Sequence, residues 1–327
     1  MADLLELGAA LRATITAGQA WDAIPFYALA IESSDSERTR AVTAMLDGVA
    51  TLSPWAVAHL SLVSGTLVEM GADPRVGFDE LARVLARGVS LLSAACGELE
   101  GRGVTLDGDE QDRLKALPPD VQAWAGSFSL HVIGAMARLA RDVANRKHLQ
   151  NDAEFRAGVK TLRERLGSNH AYFLLEIVDM LDDEPLWLVD LVAGRVQRLR
   201  AVAVRSGFHL ITLLDGVDPH ALDPAPDSLS AVHGYFDFRA LERLSVGTPT
   251  SLADFGASHL GNSLWGEMRA RDLPEFDGQR VVVRAPPVLG GRSWSFSFVS
   301  PLHDALRESL DALETLSPEA ALSLVTR

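Results

Sequence analysis

The fold turns on DDEPLWLVDLVAGRVQRLRAVAVRSGFHLITLLDGV, residues 182–217. From Pro185 this stretch breaks into the short apolar runs LWLVDL, VQRLRAVAV and FHLITLL, separated by Ala193-Gly194 and Ser206-Gly207. Runs of that length, rich in Val, Ile, Leu and aromatics and punctuated by turn dipeptides, predict an antiparallel meander with strands near 186–191, 196–204 and 208–214.

Upstream, the apolar residues keep helical spacing. Leu4, Leu7, Leu11 and Ile15 form one stripe. Ser34 and Ser53-Pro54 read as helix starts, and Phe78, Leu81, Leu85, Leu92 and Leu99 describe a long bundle helix. One helix is expected from Asp120 to Arg146, then two more over 152–166 and 169–181. Downstream, Arg280–Ala285 and Ser293–Val299 alternate as strands, and Gly290-Gly291 predicts a hairpin between them. Helices are expected over 227–243, 251–270 and 302–316. The expected architecture is α+β, mostly α. A helical domain, 1–183, precedes an α+β domain, 184–327, with a small antiparallel sheet made of the meander plus the hairpin.

Composition narrows the functional classes. A formal charge of −14 repels phosphate backbones and anionic lipid, so neither nucleic acid nor a membrane is an expected partner. The single cysteine, Cys96, excludes an internal disulfide and any multi-cysteine zinc site, and suits a reducing cytosol. No apolar run approaches the roughly 20 residues of a membrane span. The expectation is a soluble cytoplasmic protein.

The chain contains no P-loop, dinucleotide fingerprint, zincin helix or nucleophile elbow. Asp107, Asp109 and Asp112 start like a calcium loop, but Asp112 stands where that loop needs Gly and Pro118 where it needs Glu. His131, His170 and His209 lie among apolar residues and read as hydrogen-bonded core histidines. No cofactor is expected.

Three constellations remain. Glu176, Asp179 and Asp183 share one side of the expected 169–181 helix and its exit, a candidate metal site. Each acid at that negative helix end costs about 0.3–1 kcal/mol, so a counter-charge is expected. Arg198 and Arg200 of the second strand, with Arg195 at the turn before it, are the nearest, and Asp182, Arg198 and Arg200 together form a candidate interaction surface. The third is His259, Ser263 and Glu267, at i, i+4 and i+8 on the expected 251–270 helix, the beginning of a nucleophile–base pair without an evident oxyanion hole. These readings favour a non-enzymatic interaction or accessory protein with an acidic surface, binding another protein or a second copy of itself. The alternative is a hydrolase-like enzyme or small-molecule binder with a pocket between the helical layer and the sheet.

Overall fold

A computed structural model describes residues 3–219, 234–240, 244, 262–286, 294 and 298–316. The chain forms two compact units, Met1–Val178 and Asp179–Arg327.

The first unit is helical. It runs α1 (Leu4–Thr16), α2 (Ile24–Glu32), α3 (Asp35–Leu46), α4 (Pro54–Glu69), α5 (Phe78–Gly101), α6 (Glu110–Ala116), α7 (Gln122–Leu139), α8 (Val143–Gln150), α9 (Ala153–Leu166) and α10 (Asn169–Val178). Local chemistry sets most of its boundaries. Asp3 and Ser34 close capping boxes with Glu6 and Glu37, and Ser53 accepts the Ala56 N–H ahead of Pro54. The helix expected over 120–146 is two helices. Asp142 leaves helical geometry and accepts the Asn145 N–H at 2.8 Å, which opens α8 and ends the run at Leu139.

The centre of this unit is α4, whose Leu60, Val63, Leu67 and Val68 are fully buried. Each contributes about 1.5–3 kcal/mol relative to exposure. Its backbone lies against α7 at Gly65 and Gly134, where a Cβ on Gly134 would come within 2.5 Å of the Ser61 backbone. Only glycine allows that approach.

The second unit is built on a mixed sheet of β1 (Glu184–Asp190), β2 (Arg195–Val202), β3 (Tyr235–Asp237), β4 (Glu275–Phe276), β5 (Gln279–Arg284) and β6 (Ser309–Leu316), with α11 (Gly207–Leu214) packed on it. The strand order is β3-β5-β1-β2-β6, and β4 pairs with β5. The β1–β2 hairpin is antiparallel, with Leu186 opposite Leu199, but β1 pairs parallel to β5, Leu188 opposite Val282. The expected all-antiparallel sheet is therefore corrected to a mixed one. Two-sided burial accounts for it: Leu186, Leu188 and Val282 enter one apolar cluster, while Trp187, Val189, Val281 and Val283 enter another. Central strands covered on both faces carry continuous apolar runs such as LWLV and VVV, which is the parallel-strand pattern.

Three further expectations change. Residues 207–214 are a helix instead of a third strand. Ser206 caps its start, and Gly216 ends it in the left-handed region while Gly216 N–H and Val217 N–H donate to Leu213 and Thr212 carbonyls. Residues 309–316, expected in a helix, pair with β2 as strand β6. There Arg200 faces Asp311 and Arg198 faces Glu314, and a register shift leaves Leu313 as the extra residue of a β-bulge. Of the helix expected over 227–243, residues 235–237 are strand and 238–240 a 3-10 turn, because Phe236 joins the sheet opposite Val283. The expected strand 293–299 falls mostly outside the described residues, and Trp294, Phe298 and Val299, which are described, are not in strand. The Gly290-Gly291 hairpin lies outside them as well.

Candidate functional site

The acidic constellation is divided at the end of α10. Glu176 is its last helical member, and after Val178 the chain turns so that Leu181 exchanges two backbone hydrogen bonds with Val204. Burying Met180 and Leu181 in the second unit outweighs the helical continuation to 181. Asp179 forms an ion pair with Arg269, and Asp183, in the left-handed region, pairs with Arg200 at 3.7 Å. Among the described residues no group of three or more His, Cys, Asp or Glu is placed to hold a metal ion.

Asp182, Arg198 and Arg200 have separate surroundings. The Asp182 carboxylate is buried and accepts the Ala203 N–H at 3.0 Å, holding a left-handed alanine at the turn out of β2. Arg200 donates to Asp311 at 2.9 Å. The exposed Arg198 lies over the Trp187 ring at 5.9 Å.

In the third constellation, His259 lies outside the described residues. The helix expected to align it with Ser263 and Glu267 is not the conformation of residues 262–269: Ser263 is buried in a bridge to Phe236, and Glu267 is exposed in a turn.

A buried polar cluster surrounds His209, which the sequence marks only as a hydrogen-bonded core histidine. The His209 ring, on the first turn of α11, is enclosed. Its Nδ1 is 3.0 Å from Ser206 Oγ, and its Nε2 is 3.0 Å from the Val299 carbonyl, 3.5 Å from Glu308 Oε1 and 3.0 Å from Arg205 Nη2. Arg205 also donates to the Ser300 carbonyl and stands 3.8 Å from Glu308 Oε1. The Glu308 side chain is fully buried, so two cationic or cation-forming groups surround a carboxylate that water does not reach. A hydroxyl, an imidazole and a carboxylate in this order can relay a proton. Acyl transfer would also need backbone donors for an oxyanion, and the nearby N–H groups are engaged: Gly207 to Met268 O, Phe208 to Gly266 O, and Leu210 to Ser206 O. The cluster acts as a clamp joining residues 205–209, 299–300 and 308. Its sequence signal was Ser206 three residues before His209, a cap pattern; the partner 99 positions downstream had none.

In the same unit, Tyr235 donates its hydroxyl to Asp215 at 2.6 Å, and burial, then Asp215, push the phenol well above its ordinary range. Asp190 is fully buried, accepts the Val192 and Ala193 N–H groups at 3.1 and 3.0 Å, and faces Arg284 at 3.4 Å. It closes the β1–β2 turn.

The helical unit has its own cluster. His131 is buried and stacks on Trp124 with ring centroids 5.6 Å apart; burial pulls the imidazole down to about 4, and Nε2 has no hydrogen-bond partner among the described residues. On the surface, α2 turns apolar residues outward. Ile24 is 74% exposed and Ile31 67%, with the exposed Ala28 between them at i, i+4 and i+7. Trp21, just ahead of α2, meets the His59 ring edge-on, and the exposed Trp55 stacks on the same His59 ring, centroids 5.9 Å apart.

No family model matches the chain, and neither the curated proteins nor the solved structures give a match. Among the described residues no helix is long and apolar enough to cross a membrane.

Proposed function

We propose that this is a cytoplasmic, non-enzymatic protein that acts by binding another protein, or a second copy of itself, through the outward face of α2. The observation that carries this reading is the stripe Ile24, Ala28, Ile31, an uncharged helix face turned to water in a chain of net charge −14. Short helices with apolar anchors at this spacing dock into grooves of a partner, and contiguous exposed apolar surface marks such contacts. The overall acidity keeps the free protein soluble and disfavours nucleic acid. The test compares the wild type with Ile24→Glu plus Ile31→Glu by light scattering and by capture from the native host. The double variant keeps its melting temperature and loses the complex that the wild type forms. If both recover the same complex, or if the wild type is a monomer that captures nothing specifically, the reading falls.

A hydrolase-like enzyme is the second reading, favoured by the Ser206–His209–Glu308 order. It requires turnover that Ser206→Ala abolishes without a comparable loss of stability.

A further inference from the structure

Arg138 is the one fully buried guanidinium of the helical unit that has no carboxylate beside it among the described residues. It lies one turn after Gly134 on α7 and has zero exposure. Its Nη1 donates to the Gly134 carbonyl at 3.4 Å, and neither Nε nor Nη2 has a hydrogen-bond partner among the described residues.

The two helices in closest contact at this point supply few acids. Helix α7 contains no acid, and α4, packed most closely against it, contains one, Glu69. That carboxylate is taken by Arg141, whose Nη1 and Nη2 reach its two oxygens at 2.7 and 2.5 Å. Arg141 lies three residues beyond Arg138 at the α7 exit, and it is Arg141 that holds the Glu69 carboxylate. Burial pulls Arg138 down to about 10, which still leaves it a cation at neutral pH. A cation withdrawn from water with two idle donors is a costly arrangement unless something supplies acceptors.

The idle atoms have a defined geometry. Nε–H and Nη2–H lie along one edge of the planar guanidinium and point the same way, which is the edge that grips two coplanar oxygens bidentately. We propose that the Nε–Nη2 edge of Arg138 is a binding site for a small oxyanion of the carboxylate or bicarbonate class. The guanidinium has no exposure, so entry depends on opening of the helical unit and exchange is slow. The site is independent of the α2 face, and either proposal stands without the other.

The test is a thermal-stability titration of the full-length chain with sodium formate and with sodium bicarbonate, against sodium chloride at equal ionic strength. In the wild type the melting temperature rises saturably with formate or bicarbonate and not with chloride. In Arg138→Met, which keeps the length of the side chain and removes both donors, the rise is lost while the response to chloride is unchanged. Calorimetric titration of the wild type with formate gives one site per chain, and that measurement stands even where Arg138→Met does not fold. Equal responses of wild type and variant, a wild type that responds to chloride as strongly as to formate, or no saturable heat would overturn the proposal.

Discussion

Two buried histidines show how differently the two units treat polar groups. His209 in the sheet unit has Ser206, Val299, Arg205 and Glu308 around its two nitrogens, drawn from segments more than ninety positions apart. His131 in the helical unit sits against Trp124 with Nε2 unpartnered among the described residues. The first is a structural joint whose members depend on one another. The second is held by packing and a backbone hydrogen bond at Pro54, in its neutral form, at the expense of a proton it would bind in water.

The comparison breaks most visibly at Glu308. Glu308→Ala leaves Arg205 and His209 buried without their carboxylate, and the expected loss is about 3–5 kcal/mol of stability, read from urea unfolding followed by a probe in the sheet unit. A loss under about 1 kcal/mol would mean the clamp is not a joint at all.

His131 gives the next largest effect, and its sign follows from the direction of its shift. The folded imidazole titrates at about 4 and the unfolded one near 6.5, so between those values the unfolded state binds the extra proton. Stability is therefore intact above about pH 6.5 and falls as the pH drops toward 4, by about 3 kcal/mol in all. His131→Leu should flatten that part of the stability–pH curve; an unchanged slope would show that other groups produce it.

Ser206→Ala sharpens the contrast from the smaller side. It removes both the α11 cap and the hydroxyl on Nδ1, and about 1 kcal/mol is expected, visible as a lower urea midpoint. The drop should be smaller still for Ser206→Gly.

What the sequence made legible follows the same division. The helical unit declares itself through neighbours: Asp3 with Glu6, Ser34 with Glu37 and Ser53 with Pro54 mark helix starts within four residues. The hairpin β1–β2 was legible for the same reason, its turn lying at Ala193-Gly194 between its strands. What misled was decided at a distance. SLDALETL has good helix formers, yet Asp311 and Glu314 meet Arg200 and Arg198 across a sheet edge more than a hundred residues away in sequence. FHLITLL is apolar on every side, and periodicity cannot tell such a buried helix from a strand. Its Ser206 start and Gly216 stop were local signals, and they were the better guide. The acidic residues 176–183 failed as a shared helix face because Met180 and Leu181 are worth more inside the sheet unit than on another helical turn. His259 lies outside the described residues, and Ser263 and Glu267 share no helix.

The bulge at Leu313 has a consequence for how the molecule behaves in a crowded solution. Among the described residues β6 is the outermost strand on its side of the sheet, and a straight outermost strand is a template onto which a stray chain can add. The extra residue kinks β6, and the acids at 311 and 314 place charge along it, so an incoming strand finds neither a regular row of acceptors nor a neutral surface. Deleting Leu313 would straighten that margin and give the protein a route to fibrillar aggregation that the native register denies it.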